Sequence, residues 1–229
     1  MSKGYLKRYV APKSWTLLRK TETFVVRPNP GAHPLKFGMP IALLLRQLGY
    51  AKTTREIKKI LNTKEVLVDN RRVKDHRFPV GFMDVLSIPV TKESFRVILD
   101  YKGRLKLLPI KNVAEAGLKL CRINGKKVIK KGKIQLNMSG NRNLLVEKCE
   151  YVPGDSLLID LPSQKIVQHI KLENGALIFI TGGTRVSSKG VVESIEGNKI
   201  TYSAGKEKRN TRKEYVFVIG KDKELISLN

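Results

Sequence analysis

The chain has 229 residues, and its 45 Lys and Arg against 20 Asp and Glu give a formal net charge of +25 at pH 7. A compact protein with this surplus repels itself unless a polyanion binds it, and nucleic acid is the usual polyanion for such a composition. The apolar fraction of 41% supports folded cores and excludes a disordered basic tail. Unbroken apolar runs such as residues 41–45 are far too short to span a bilayer, so no membrane partner is expected.

The cysteine content and the N-terminus indicate a cytoplasmic protein. Cys121 and Cys149 form neither a disulfide framework nor a metal-ligand spacing, which is typical of a reduced compartment. Residues 1–10 are basic but lack the apolar core of a secretory signal.

No residue pattern in the chain predicts catalysis. His33, His76 and His169 are far apart in sequence, and none has a metal-ligand spacing. Gly182-Gly183 is not followed by the Gly-Lys-Ser/Thr ending of a nucleotide-binding loop, and no carboxylate pair stands out as an acid and base. We therefore expect no enzyme activity, metal, cofactor or small-molecule substrate. His33 and His76 flank basic segments and are candidate phosphate contacts, whereas His169 is expected to be a packed or surface residue.

Residues 1–40 form a basic arm with eight Lys or Arg and a single acid, Glu22. Its prolines limit regular structure, and its Trp15 is the only tryptophan. One interpretation is a solvated tail in which Trp15 is a docking anchor. The other, which the scarcity of acids favours, is an extension that orders against RNA. The expected RNA contacts of the arm are Lys7, Arg8, Lys13 and Trp15.

The next segment predicts two short helices. The first covers residues 41–48, and Gly49 is a natural residue to end it. Thr53 and Glu56 have the spacing of a capping box at the start of the second helix. The apolar face of this second helix comprises Ile57, Ile60 and Leu61. Its other sides carry the cations Lys52, Arg55, Lys58 and Lys59.

A hairpin follows the two helices. Its strands are residues 65–68 and 71–73, and Asp69-Asn70 between them tolerate the positive φ of a tight turn. A second turn, residues 81–84, precedes a strand over 85–88, and Asp84 is expected to bond backbone amides there. A basic face on the second helix and hairpin suits the grooves of folded RNA, where Arg and Lys bind phosphates.

Residues 91–170 predict β-structure with one short helical insert. Asn112 has the side chain to cap a helix over residues 113–116, which Gly117 would end. Asn124-Gly125 is a typical hairpin signal. Residues 116–146 contain eight Lys or Arg and no acid, which favours an anionic partner. The RNA contacts expected here are Lys126, Lys127, Lys130 and Lys131.

Residues 171–229 predict five short strands, typical of a small, bent β-barrel. A loop that begins at Thr181-Gly182-Gly183 follows the first strand, and a hairpin closes at Gly197-Asn198. We expect a basic loop before the last strand, which covers residues 215–219. Its cations are Lys206, Lys208, Arg209, Arg212 and Lys213, of which Arg209, Arg212 and Lys213 are expected to contact RNA.

Two segments resemble motifs of RNA-associated proteins. Residues 41–88 are similar to the αL-type RNA-binding module that also occurs in some pseudouridine synthases and tyrosyl-tRNA synthetases. Residues 174–197 resemble the KOW motif of ribosomal proteins and transcription elongation factors. The order of arm, αL module, β-rich middle and KOW end resembles the small-subunit ribosomal protein S4e family of archaea and eukaryotes. The closest matching strings are Leu6-Lys7-Arg8, Ala11-Pro12-Lys13-Ser14-Trp15, Phe78-Pro79-Val80-Gly81-Phe82-Met83-Asp84-Val85, Thr181-Gly182-Gly183, Phe217-Val218-Ile219-Gly220 and Ile226-Ser227-Leu228.

The resemblance implies a structural rRNA-binding protein of the small ribosomal subunit, with small-subunit rRNA and neighbouring ribosomal proteins as partners. The chain ends at Asn229 without the basic tail of eukaryotic members, which favours an archaeal protein. By position, the implied contacts of the αL module are Arg46, Lys52, Thr53, Arg55, Lys58, Lys59, Arg71, Arg72 and Lys74. Those of the KOW loop are Gly183, Thr184, Arg185 and Lys189. The chain departs from the family where Lys64, Asn70 and Ser187 replace frequent glycines.

The expected fold class is α+β and mostly β, in four parts. They are a basic N-terminal arm over residues 1–40, a helix-helix-hairpin αL RNA-binding domain over 41–90, a β-rich central domain over 91–170 and a KOW-type β-barrel domain over 171–229. Three other functions stay open: a ribosome-assembly factor, an RNA-modifying enzyme that docks through the αL module, and a KOW-containing transcription factor.

Overall fold

β-Strands dominate the protein, as expected, and its α-helices are few and short. The computed structural model describes residues 4–18, 20–129, 132–147, 149–161, 163–205, 207–221 and 223–228, with Val113 described by its backbone alone. The chain divides into two compact units. The first consists of Met1–Ile98 and Arg104–Gly117, and the second of Leu99–Gly103 and Leu118–Asn229.

The first unit begins with a two-stranded ribbon. Strand β1, Tyr5–Lys7, pairs antiparallel with β2, Phe24–Val26. The guanidinium of Arg8 holds the connection between them, donating to the Leu18 carbonyl at 2.7 Å, to Thr21 Oγ1 and to the Glu22 carboxylate at 2.6 Å. The arm is therefore ordered by its own contacts.

The two predicted helices are present, and a short strand that was not predicted precedes them. Strand β3, Gly38–Pro40, leads into helix α1, Ile41–Gln47, which ends near Gly49 at a positive φ of 80°. Helix α2 is Thr54–Thr63.

The capping box at the start of α2 is confirmed. The Glu56 amide donates to Thr53 Oγ1 at 3.3 Å, and the Glu56 carboxylate accepts from the amides of Lys52 and Thr53. Ile57 and Leu61 are fully buried, so the cationic residues of α2 are left on its outer sides.

A five-stranded sheet, in the order β5-β4-β7-β8-β9, completes the first unit. Its strands are β4 Leu67–Val68, β5 Arg71–Arg72, β7 Val85–Ile88, β8 Glu93–Leu99 and β9 Leu105–Pro109. The predicted hairpin turn is present, with Asp69 and Asn70 at φ 51° and 59°, the left-handed pair that a two-residue turn requires. Strand β6, Pro79–Gly81, pairs with β3.

A buried histidine joins this β3–β6 pair to the turn before β7. His33 Nε2 lies 2.8 Å from Asp84 Oδ2, which also accepts the Gly81 amide at 2.9 Å, as expected for Asp84. Gly38 and Gly81 leave room for the His33 side chain, because a Cβ at Gly81 would overlap its ring and a Cβ at Gly38 would overlap its Cβ. His33 therefore stabilises the fold and is not exposed to a phosphate.

The short helix α3, Val113–Ala116, also forms as predicted. Asn112 Oδ1 accepts the Ala114 amide at 3.1 Å, and Gly117 follows the last turn. Glu115 on this helix pairs at 2.6 Å with the fully buried Arg96 of β8. The helix thus supplies the negative charge that a buried guanidinium needs.

In the second unit, one sheet has the order β12-β11-β10-β13-β14. Its strands are β10 Leu118–Val128, β11 Ile134–Met138, β12 Arg142–Val146, β13 Ser156–Asp160 and β14 Ile166–Ile170. The hairpin predicted at Asn124-Gly125 is wrong, because both residues lie inside β10. Before Ile123 the strand pairs with β13 and after it with β11, and the register shifts between Ile123 and Gly125. Gly125 therefore marks an irregularity within one long strand.

The other sheet of this unit has the order β18-β17-β16-β15-β19. The number of strands agrees with the prediction, but the segment that forms β18 was not predicted to be a strand. Its strands are β15 Leu177–Ile180, β16 Lys189–Glu196, β17 Lys199–Ala204, β18 Glu207–Arg212 and β19 Val216–Gly220. The basic loop predicted before the last strand is wrong, since Lys208, Arg209 and Arg212 lie on β18, while Lys206 is outside the described residues. An edge strand of polar residues has no apolar alternation, so sequence periodicity does not reveal it.

We expect Gly81→Ala to destabilise the first unit, since the added methyl group would overlap both the His33 ring and the Phe37 carbonyl. A backbone oxygen cannot move away cheaply, so the free energy of unfolding should fall by about 1–3 kcal/mol. Urea unfolding followed by Trp15 fluorescence measures it, because this single tryptophan lies in that unit. Gly117→Ala is the control, since its Cβ would meet only an ordinary contact at 3.6 Å. Equal midpoints for the two variants would contradict the role given to Gly81.

Candidate nucleic-acid interface

Helix α2 presents a row of exposed cations. Burial of Ile57 and Leu61 fixes the orientation of the helix, and its outward positions are exposed. Arg55 and Lys59 are four residues apart and project together. The exposed cations at and around the helix include the four predicted contacts Lys52, Arg55, Lys58 and Lys59.

The hairpin and the segment after it add further exposed cations. Arg71 and Arg72 form β5, which is the edge of its sheet, and Lys74 follows it. Arg46, by contrast, is partly buried and donates to Thr54 Oγ1 at 2.8 Å, linking α1 to α2. Thr53 is exposed but its hydroxyl caps α2. The expected contacts of this region therefore divide into exposed cations and residues that shape the surface.

The pKa of His76 is affected by the positive charges of this surface. Burial lowers the pKa of its imidazole below the ordinary value, and the charges of Lys58 and Arg77 act in the same direction. Asp75, whose carboxylate lies 3.3 Å from His76 Nδ1, opposes them. Lys58 of α2 and the segment after the hairpin thus belong to one electrostatic surface.

In the N-terminal arm, two of the four predicted RNA contacts are exposed and two are buried. Lys7 and Lys13 are exposed. Arg8 is buried in its contacts with residues 18–22, and Trp15 is only 3% exposed. The Trp15 indole donates to the carbonyls of Leu35 and Gly38 at 3.1 and 3.0 Å. Trp15 is therefore an anchor within the protein, and neither of these two side chains has a surface to offer RNA.

The central cations lie at the end of a long strand. Lys126 and Lys127 are exposed on the second half of β10, and Lys126 Nζ lies 3.3 Å from the Tyr151 carbonyl. Lys130 and Lys131 lie outside the described residues.

A cleft of about 480 Å³ lies between the glycine loop after β15 and strand β18. Gly182 lies against the Tyr215 ring, where a Cβ would overlap it, and Gly183 has a positive φ of 84°. Predicted contacts that line the cleft are Gly183, Thr184, Arg185, Arg209 and Arg212. Hydrogen bonds from Arg209 lower the pKa of the Glu207 carboxyl, and the charge of Arg185 acts in the same direction. The lining of the cleft therefore includes three arginines and the Glu207 carboxylate, which is hydrogen-bonded to Arg209.

Two predicted cations near this loop have partners within the protein. Lys189 Nζ pairs with Glu224 at 2.6 Å. The aliphatic end of Lys213 lies close to Gly154, and its carbonyl accepts from Arg122 at 3.1 Å. The loop tip needs no glycine at 187, because Ser187 itself adopts a positive φ of 70°.

His169 is a packed residue, as one of the two expectations had it. Its Nε2 lies 2.8 Å from Asp155 Oδ2, and its ring lies 4.9 Å from that of Tyr151. Asp155 also accepts the amides of Val152 and Leu172. Among the described residues, no group of three or more His, Cys, Asp or Glu could hold a metal ion.

Sequence reasoning missed three exposed aromatic side chains in the arm, Tyr5, Tyr9 and Phe24. The available signal was the mixture of aromatic and basic residues in Tyr5-Leu6-Lys7-Arg8-Tyr9. Trp15 was predicted as the aromatic contact instead.

Comparison with known proteins agrees with these features along the chain. Residues 2–36 match the RS4NT (NUC023) domain, residues 39–86 the S4 domain, and residues 91–166 the ribosomal family S4e. The small ribosomal subunit protein eS4 of Methanosphaera stadtmanae is 44% identical over 234 residues, covering 99% of this chain and 96% of that protein. The chain belongs to the ribosomal S4e family. The family resemblance stated from the sequence is confirmed.

Further members of the S4e family are similar over comparable lengths. The eS4 protein of Methanocaldococcus jannaschii is 43% identical, over 99% of this chain and 98% of that one. The crystal structure of the 30S ribosomal protein S4e from Thermoplasma acidophilum has a TM-score of 0.70 at 30% identity, covering 80% of this chain and 95% of that one. Because the family is a ribosomal one, the hypothesis of a modifying enzyme has no support. None of the helices in the described ranges is long and apolar enough to cross a membrane.

We expect Lys58→Gln to raise the pKa of His76. The Lys58 ammonium disfavours the imidazolium form, so removing its charge makes protonation easier. An NMR titration of the His76 ring measures the change. Lys52→Gln is the matched control on the same helix, because Lys52 is not among the charges that act on His76. An equal rise of the His76 pKa in both variants would show a general effect of net charge. It would contradict the specific interaction between Lys58 and His76.

Proposed function

We propose that the protein is a structural constituent of the small ribosomal subunit in the cytoplasm, where it binds and organises rRNA. The observation that carries the proposal is the similarity to named small-subunit proteins over 99% of the chain. The formal charge of +25 supports it, since rRNA supplies the polyanion that such a composition requires. Its other partners would be neighbouring ribosomal proteins, with no cofactor, membrane or small-molecule substrate.

We propose four functional parts, over residues 1–40, 41–90, 91–170 and 171–229. The two helices and the basic hairpin of the S4 domain support an αL-type RNA-binding module. The five-stranded sheet β15–β19, with its glycine loop against Tyr215, supports a KOW-type β-barrel.

The mechanism is neutralisation of phosphates by cations held on rigid elements. The principal surface would be α2 and the hairpin, and a second would be the cleft beside β18. The Arg46 guanidinium and the Thr53 hydroxyl would hold these surfaces in shape through their hydrogen bonds to α2. Duplex RNA is recognised by shape, phosphates and 2′-hydroxyls, so folded junctions rather than base sequence would define the site. With about eight phosphates bound, log affinity should fall with log salt at a slope of roughly −7.

Fractionation of native lysate on sucrose gradients, with and without a high-salt wash, tests the proposal. Stoichiometric recovery in washed small subunits and in polysomes is expected. Recovery confined to free fractions or immature particles would overturn it and would favour an assembly factor. Recovery with RNA polymerase instead would favour a transcription factor.

For the isolated protein, the double variant Arg55→Gln, Lys59→Gln should weaken rRNA binding and reduce the salt slope. Each lost phosphate contact reduces the slope by about 0.7–0.9, so the pair should reduce it by roughly 1.5. Affinity measured at several salt concentrations gives both quantities. The control, Lys106→Gln with Lys111→Gln, removes the same charge from exposed positions of the first unit. A control that weakens binding as much would show that only net charge matters.

A further inference from the structure

The ribbon β1–β2 presents large aromatic rings to solvent. Tyr5 is 64% exposed, Phe24 54% and the nearby Tyr9 66%. Val25 and Val26 of the same ribbon are buried, so the ribbon is held in place while these rings remain outside. An exposed cluster of apolar surface of this kind is typical of a binding site.

Strand register places two of these rings, those of Tyr5 and Phe24, on a shared face of the ribbon. Tyr5 lies opposite Val26, and Lys7 lies opposite Phe24. Residues two apart on a strand, and residues directly opposite, share one face of the ribbon. Tyr5, Lys7 and Phe24 therefore lie together, with Tyr5 and Phe24 diagonal neighbours at about 7–8 Å between backbones. The ammonium of Lys7 is also 5.8 Å from the centre of the Tyr9 ring.

The charge of the arm that carries the rings indicates the class of partner. Lys7, Lys13, Lys20 and Arg27 are exposed. The only acid among the described residues of the arm, Glu22, pairs with Arg8 at 2.6 Å. A protein surface with mixed charge would meet repulsion from its cations here, whereas a nucleic-acid backbone would be attracted. Rings flanked by cations are the arrangement that stacks unpaired bases and holds their phosphates.

We propose that this aromatic face, formed by Tyr5, Tyr9 and Phe24 beside Lys7, stacks unpaired bases of RNA. It would be a site for single-stranded nucleotides, separate in chemistry from the phosphate-binding surface of α2. Bases in a duplex are stacked on each other and offer no open face, so the site should discriminate single strands from duplex. The inference rests on the proposed function in that its ligand is RNA, and it adds which part of the RNA is bound.

The test uses the full-length protein and two probes, a single-stranded RNA of about 12 nucleotides and a duplex of the same length. The double variant Tyr5→Leu, Phe24→Leu keeps the apolar surface and all charges but removes the rings. Its affinity for the single strand, measured by fluorescence anisotropy, should fall about tenfold or more. Affinity for the duplex and the salt slope should not change, because no charge is lost.

Two further variants sharpen the result. Tyr101→Leu is the matched control, since Tyr101 is 69% exposed and has Lys102 at 5.2 Å from its ring, but lies in the other unit. It should bind like the unaltered protein. Tyr5→Phe keeps a ring and should retain single-strand affinity. Thermal unfolding of each variant checks that the fold is intact.

The outcomes separate this inference from the function proposed above. If the unaltered protein binds neither probe, both the proposed RNA binding and the aromatic face are overturned. If it binds both and the ring variants bind equally well, only the aromatic face is overturned. An equal loss on the duplex, or an equal loss in Tyr101→Leu, would also overturn it. If the ring variants keep their RNA affinity but are recovered less in washed subunits, the aromatic face contacts a neighbouring protein. That result would overturn the proposal that it binds RNA.

Discussion

The surplus of positive charge is the constraint on which this structure depends. With 45 cations in 229 residues, the fold can bury a guanidinium only where an acid or several carbonyls meet it. Arg96 is buried against Glu115, and Arg8 against Glu22 and the Leu18 carbonyl. Burial lowers the pKa of Arg96, and Glu115 opposes that effect. The remaining cations lie mostly outside, and these form the surfaces proposed to bind RNA.

Two buried His–Asp pairs also stabilise the fold. His33–Asp84 ties the β3–β6 pair to the turn before β7. His169–Asp155 ties β14 to the turn before β13, and Asp155 also accepts the Leu172 amide that follows β14. In each pair the carboxylate also accepts backbone amides, so a buried negative charge is satisfied. His33 and His169 therefore share a structural role, whereas His76 lies close enough to Lys58 of α2 for its charge to act on the imidazole.

Local sequence rules predicted much of the first unit because its elements carry complete local signals. The capping box of α2, the Asp69-Asn70 turn and the Asn112 cap of α3 each depend on residues close in sequence. The same rules were wrong at Asn124-Gly125, where pairing with two different strands keeps β10 extended. They also missed β18, since its polar residues form a strand only by pairing with β17. Asn70 and Ser187 adopt the left-handed backbone conformation that favours glycine. Their replacement of glycine therefore leaves both turns intact.

The sequence by itself determined the charge, the mostly-β composition, the two helices and the family. These depend on composition, on periodicity and on motifs whose parts are adjacent in the chain. Only the tertiary structure decided which candidate residues face solvent, because burial depends on contacts between distant segments. It placed Trp15 against the carbonyls of Leu35 and Gly38, and left Tyr5, Tyr9 and Phe24 exposed. It also placed Arg185 in the loop after β15 and Glu207 on β18 at the same cleft, although the two residues are separate in sequence.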